Sequence, residues 1–418
     1  MINKPKGTMD IYGDNSKVWL YINEIIKDTC SKYNYEFIKT PTFEASDLFH
    51  RGVGETTDIV RKETYDFLDK GGRNITLKPE GTAGVIRSYI ENKMYTNETS
   101  ITKLYYLTPC FRYERPQAGR LREHTQFGVE VLGSINPMID AEVISLAASI
   151  FKKLKFTNIK VKINSLGDTS SRLNYKDALI KYIEPHIDTL CNDCKDRLYK
   201  NPLRILDCKV DCDNELFLNV PSINDYLNDE SVNHFNLVKK YLDSLNINYE
   251  VDTKLVRGLD YYSHTVFEIQ ADLEGFGAQN TLCGGGRYNN LVKTLGGPDM
   301  AGIGFGMGLE RLMLALTNTI NVSNKLDLYI ISMTENKEYI FSLANKLREE
   351  YKIEIDYLNK NIKGQFKACD KFSSKYVVVI GDTEITSGIC KLKNNSTKEE
   401  IEINIEDIKK YIKKETSY

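Results

Sequence analysis

The chain has 418 residues, of which 41% are hydrophobic and 27% charged, the make-up of a folded protein with apolar sequence for more than one core. Lys plus Arg number 56 against 58 for Asp plus Glu, a net charge of -2, which excludes a uniformly basic nucleic-acid coat but not a local basic groove. There is no run of about 18 apolar residues and no apolar core in the N-terminal MINKPKGTMDIYG, so neither a membrane span nor a secretory signal is expected, and the nine cysteines read as mostly reduced thiols of a cytoplasmic protein.

Residues 16–33 set Val18, Tyr21, Ile22, Ile25 and Ile26 at helical spacing. A short apolar stretch then runs to Pro41, which suits a strand end. Residues 63–77 predict two strands around a Gly-Gly turn, and 82–94 a helix with Thr82 as its cap. Strand patterns at 103–113, 124–133 and 159–164 surround a helix at 139–153; strands joined by loops with helices outside them predict an α+β fold with an antiparallel sheet. From 167 to 245 the chain turns polar and mostly helical, and it separates two glycine-bearing strand regions, so it reads as an insertion. Strand-like, Gly-rich character returns at 253–269 and 280–292, and 302–318 reads as a strand running into a helix. After a polar linker, strands and helices alternate from 324 onward (LDLYIISM, 335–351, IEIDYL, 361–374, YVVVIGD), which predicts a small α/β domain.

Four segments carry chemistry. In FRYERPQAGRLREHTQFGVEVLG, Arg112, Arg115, Arg120 and Arg122 fall within eleven residues broken by Pro116 and Gly119, the pattern of a hairpin with a basic tip able to hold phosphates. Gln126 and Glu130 share one face of the returning strand. In GIGFGMGLERLML, glycines at 302, 304, 306 and 308 leave one strand face bare for a flat ligand, with Glu310 and Arg311 at the following helix start. KLVRGLDYYSHTVFE offers Arg257, Asp260, Tyr261 and Tyr262, and CGGGRYNNL has three consecutive glycines before Arg287 and Tyr288; such a run makes a poor core strand and suggests a pocket for a small planar substrate. In LKPEGTAGVIR, Glu80 and Thr82 at a strand–helix junction can grip an ammonium group.

No spacing matches a P-loop, a zinc protease or a nucleophile elbow. His50, His186 and His234 read as surface or structural residues, while His124 and His264 fall inside the segments above. Cys191, Cys194, Cys208 and Cys212, all in the insertion, have a spacing compatible with a tetrahedral structural zinc site and equally with four reduced thiols.

Taken together, KGTMDIYG, LKPEGTAG, FRYERPQAGR, LVRGLDYY, GGRY and MGLERL resemble the histidyl-tRNA synthetases, a class II aminoacyl-tRNA synthetase family, over essentially the whole chain. The resemblance implies an antiparallel-sheet catalytic domain in two parts, 1–166 and 246–322, a helical insertion at 167–245 and an anticodon-binding domain at 324–418. It implies ATP with Mg2+, histidine and its tRNA as substrates, and a homodimer formed around the KTPTFE segment. By resemblance, Arg112, Glu310 and Arg311 meet ATP, with Arg112 and Arg257 flanking its α-phosphate. Glu80, Thr82 and Gln126 bind the amino and carboxyl ends of histidine, Glu130 and Tyr262 bracket its imidazole, and Tyr288 closes over it. Arg115 and Gln117 face the tRNA's 5′ end. Thr125, Ser263–His264 and Gly284 depart from what many relatives carry. A paralogue of the family is a non-catalytic regulatory subunit of ATP phosphoribosyltransferase; it loses the catalytic residues and the C-terminal domain. Here Arg112, Arg257 and Arg311 are present and about ninety residues follow the linker, which favours the synthetase.

Overall fold

The computed structural model describes residues 1–54, 57, 59–96, 101–116, 119–208, 210–211, 213–271, 280–316 and 325–412. The chain divides into two compact units, Met1–Ile320 and Asn321–Tyr418.

The first unit is built on an eight-stranded sheet in the order Glu36–Phe37, Thr102–Phe111, Glu123–Leu132, Gly302–Gly308, Thr281–Arg287, Ser263–Ala271, Ile159–Ser165 and Tyr249–Val251. The six central strands run antiparallel, and only the two short edge strands pair parallel with their neighbours. Helix Asp14–Lys32 buries Val18, Ile22, Ile26, Thr29 and Cys30, a stripe one turn apart, and carries Asp14 in its first turn and Lys32 in its last, each suited to the dipole at that end. Helix Pro137–Lys153 starts where the Asn136 side chain accepts from the Met138 N–H at 2.9 Å, with proline at the position that needs no donor. A separate three-stranded sheet has Asn74–Leu77 between Phe43–Ala45 and Tyr65–Leu68.

Between Ser165 and Tyr249 the chain is helical: Thr169–Ile183, Asn192–Lys200, Asp229–Ser244 and several short 3-10 turns, with a core of Tyr175, Leu179, Ile183, Leu198 and Phe217.

The glycine run at 284–286 corrects one expectation. It lies buried within strand Thr281–Arg287, fifth in the main sheet. Gly284 lies opposite Gly306, and Gly286 opposite Gly304, so the missing side chains on one strand match those on the next. Arg287, which follows the glycines, is structural. It is fully buried in an ion pair with Asp140, donates to the Ser134 carbonyl at 2.7 Å and leaves Asp140 one further partner, His234, at 3.2 Å.

The second unit has a five-stranded sheet in the order Ile353–Ile355, Leu328–Ser332, Tyr376–Ile380, Ile389–Asn394, Glu400–Asn404. Its first three strands are parallel, as the strand–helix alternation predicts, and the last two form an antiparallel hairpin that the alternation did not predict. Successive residues of Leu328–Ser332 serve opposite faces: Leu328 and Ile330 pack with Ile340, Ala344 and Leu347 of helix Lys337–Arg348, while Tyr329 and Ile331 pack with Cys369 of helix Ile362–Lys371.

Candidate active site

Register in the main sheet aligns one row of residues across five strands: Tyr106, Gly128, Gly306, Gly284 and Glu268. Directly opposed residues of antiparallel strands share a face, so three adjacent glycines form a bare strip between a tyrosine and a carboxylate. In the next row Glu130 stands opposite Gly304, and Gly304 opposite Gly286. The bare face is therefore wider than the 302–308 alternation alone suggests. Side chains from its rim lean over it. A Cβ at Gly304 would collide with the Glu130 carboxylate and the Val129 carbonyl, one at Gly306 with the Gln126 amide, and one at Gly284 with the Arg257 guanidinium.

Glu130 is the centre of the buried network. Its Oε1 accepts from the Thr82 hydroxyl at 2.7 Å and the Tyr106 hydroxyl at 3.1 Å, and its Oε2 accepts from the Tyr288 hydroxyl. Burial pushes the Glu130 carboxyl up to about 8, although the Tyr288 and Thr82 hydroxyls pull the other way. Burial also pushes the Tyr262 phenol up to about 12, against the pull of the adjacent Arg257 guanidinium.

Thr82 does not cap its helix, as the sequence pattern predicts; its hydroxyl is spent on Glu130. Glu80 takes that role, its two oxygens accepting from the N–H groups of Thr82 and Ala83, each at 2.8 Å. Two bonds from a helix start suit a carboxylate, and burial raises the Glu80 carboxyl against them. Gln126 accepts from the Gly81 N–H at 2.8 Å through Oε1, which turns its NH2 group toward the glycine strip.

The arginines are anchored separately. Arg112 donates from Nε to the Pro79 carbonyl at 2.9 Å. Arg257 pairs with Glu268 at the far end of the glycine row. Arg311 is half-buried at the start of helix Leu309–Leu316. Glu310, beside it, is buried and accepts from the Thr125 N–H through both oxygens, at 2.8 and 2.9 Å. Beyond Arg112 the hairpin is pinned by the N-terminal segment: the N–H groups of Arg122 and Glu123 both donate to the Gly7 carbonyl. Arg122 covers the Tyr113 ring at 4.0 Å, and Arg120 pairs with Glu114 at 3.3 Å. Arg115 is exposed; Gln117 and Cys212 lie outside the described residues.

Two members of the site were missed in the sequence. Tyr106 carries no motif, and only its register opposite Gly128 could have revealed it. Glu268 closes the segment that begins at Lys254, and an acid between Phe267 and Ile269, inside strand Ser263–Ala271, was the available signal. Of the two histidines within the motifs, His124 is held down to about 3 and His264 to about 4, chiefly by burial, so both are neutral at ordinary pH.

A family model described as histidyl-tRNA synthetase matches residues 7–170 and 212–312. The chain belongs to the histidyl-tRNA synthetase family. An anticodon-binding-domain model matches 324–415. The histidine–tRNA ligase of Bacillus subtilis is 50% identical over 410 residues, covering 97% of each chain. That of Listeria innocua is 52% identical over 401 residues, covering 95% of this chain and 94% of its own. The crystal structure of apo Staphylococcus aureus histidyl-tRNA synthetase superposes with a TM-score of 0.84 at 43% identity, covering 99% of this chain and 100% of that one. These full-length matches to histidine–tRNA ligases and to a solved histidyl-tRNA synthetase support the ligase over the regulatory alternative.

Proposed function

We propose that this chain attaches histidine to its tRNA in two steps at the glycine-floored site. A carboxylate oxygen of histidine attacks the α-phosphorus of ATP, the bond from that phosphorus to the bridging oxygen breaks, and pyrophosphate leaves with the electron pair. A terminal ribose hydroxyl of the tRNA then attacks the carbonyl of the histidyl-adenylate, and AMP leaves. ATP enters as its Mg2+ complex, the ion offsetting phosphate charge.

The observation that carries this reading is the Glu130 network set beside two anchored arginines. Neutral imidazole has one donor and one acceptor nitrogen. Glu130 accepts from one and the Tyr262 hydroxyl donates to the other, while Tyr288 and Tyr106 hold the carboxylate in place. Glu80, Thr82 and Gln126 hold the amino and carboxyl ends. Arg112 and Arg257 stabilise the charge that builds on the α-phosphate oxygens, Arg311 takes the far phosphates and the adenine, and Glu310 completes the ATP site from the same helix start. An amino acid without the polar ring would leave buried groups unpaired, which discriminates by ~10⁴–10⁵ without an editing step.

The tRNA approaches through the hairpin, with Arg115 and Gln117 at its 5′ end, and the 324–418 domain reads the anticodon. The insertion, 167–245, borders the tRNA end; a cleft beside Tyr261 lined by Arg51, Arg172 and Lys176 suits its phosphates. The remaining parts, 1–166 and 246–322, are the catalytic domain. Exposed Phe37, Phe43 and Phe67 near Pro41 support a homodimer through that face. The chain works in the cytoplasm; among the described residues no helix is long and apolar enough to cross a membrane. Histidine-dependent exchange of pyrophosphate into ATP tests the first step, and intact, folded protein without such exchange would overturn the reading.

A further inference from the structure

The synthetase family model leaves residues 171–211 uncovered, and this stretch contains three cysteines that the fold brings together. Cys191 immediately precedes helix Asn192–Lys200, Cys194 lies in its first turn, and Cys208 follows the 3-10 turn Pro202–Ile205. The ligand atoms of Cys191, Cys194, Cys208 and Asp211 all lie within 4.8 Å of one another.

The spacing within that cluster is that of a coordination polyhedron. Sγ of Cys191 is 3.7 Å from Sγ of Cys208, and Sγ of Cys208 is 3.5 Å from Oδ2 of Asp211. A tetrahedron with Zn–S of ~2.3 Å and Zn–O of ~2.0 Å has S···S edges of about 3.8 Å and S···O edges of about 3.5 Å. The Cys191–Cys208 separation is far beyond the ~2.05 Å of a disulfide, and all three thiols are free. The ligands are oriented by backbone: the Cys191 N–H donates to the Asp211 carboxylate at 3.1 Å, and the Asp211 N–H donates to Sγ of Cys208 at 3.5 Å. Cys194 and Cys208 are buried in the apolar core with Leu190, Leu198 and Leu203, which shields the cluster from water on that side.

We propose that Cys191, Cys194, Cys208 and Asp211 bind a structural Zn2+ ion. Three thiolates select a borderline-soft ion, and four protein ligands leave no open position for chemistry. On binding, the three thiols release their protons to solvent. The neighbouring thiol, Cys212, is not a ligand in this assignment.

The site has a second consequence. Between Cys194 and Cys208 lie Asn201 and Arg204. The Asn201 amide donates to the Asp260 carboxylate, and Arg204 donates from Nη1 to the Gly258 carbonyl at 2.9 Å. Gly258 and Asp260 belong to the loop that carries Arg257 and Tyr262. Zinc therefore fences the strap that holds this loop from outside.

The test uses the full chain and reads metal rather than activity, so it stands apart from the exchange assay. Protein dialysed without chelator should retain about one zinc per chain by atomic emission. Co2+ loaded in its place should give thiolate charge-transfer bands and tetrahedral ligand-field bands. A Cys191→Ser/Cys208→Ser variant should lose the metal and both bands, Asp211→Ala should bind zinc more weakly, and Cys212→Ser should keep it. Should the double variant not fold, stripping the wild-type protein with a chelator should speed proteolytic cleavage within 195–207, and zinc should reverse the change. Wild-type protein that retains no zinc and gives no Co2+ bands overturns the site, as does full zinc occupancy in a folded double variant. Zinc loss on Cys212→Ser overturns the assignment of Asp211.

Discussion

Arg257 and Glu268 form an ion pair at one end of a row of three glycines that runs across the sheet to Tyr106. The pair aims the guanidinium over Gly284, and Arg257 Nε is buried without a hydrogen-bond partner. Arginine alone has a flexible stem; the carboxylate fixes its direction before substrate arrives.

Removing Arg257 should therefore lower the rate of pyrophosphate exchange by ~10²–10³. Glu268→Gln keeps the hydrogen bond but removes the charge, and should lower kcat by about tenfold, the effect of ~1.4 kcal/mol. Steady-state exchange on both variants checks this; a Glu268→Gln enzyme with unchanged kcat would count against a positioning role.

Glu130 governs a dependence on pH. Its folded carboxyl lies near 8 and its unfolded value near 4.5, so the folded state holds the proton more tightly. Stability contributed by the protonated form is full below about 4.5 and falls as pH rises toward about 8. Glu130→Gln removes this term. Its thermal midpoint should gain on the wild type between pH 5 and 8 and hold a constant gap above that range, measured by calorimetry without ligands. The same variant, and Tyr106→Phe more mildly, should raise the KM for histidine while leaving that for ATP nearly unchanged.

Asp140 makes the opposite contribution. Burial acts to raise its carboxyl, but the Arg287 guanidinium and His234 hold it below the usual carboxylate range. Its stabilisation is present above the unfolded value and is lost as pH falls below about 4. Asp140→Asn leaves Arg287 buried without a counter-charge, and should cost about 3–5 kcal/mol in urea unfolding at neutral pH. The loss should shrink in acid, and a loss independent of pH would argue against the ion pair as its source.

Lys363, Lys367 and Lys371 are exposed and one turn apart on helix Ile362–Lys371. Replacing all three by Glu should raise the KM for tRNA about tenfold or more and flatten its salt dependence, by roughly 0.7–0.9 in the log–log slope for each phosphate no longer neutralised. Pyrophosphate exchange, which needs no tRNA, should be unaffected. Parallel loss of both activities would place these lysines in folding instead.

Most of the elements, and the residues proposed here to carry the chemistry, can be read in residue order. Periodicity marks the helices at Asp14–Lys32 and Pro137–Lys153 and the long strands at Thr102–Phe111 and Glu123–Leu132, because burial on one face leaves its period in the residue order. Spacing also singles out Arg112, Glu130 and Arg257 and gathers three of the four proposed zinc ligands. Partners far apart in the chain were beyond its reach. Tyr106 and Glu268 belong to the site only through strand register, which sets residues 106, 128, 306, 284 and 268 in one row. Gly284 and Gly286 fit the core because glycines of the next strand face them, Gly285 because Phe305 and Phe267 flank it, and Arg287 is structural because Asp140 meets it from a helix 147 positions away. Helix and strand periods are local, whereas register and counter-charge are fixed when distant segments pack, and there the tertiary structure decided.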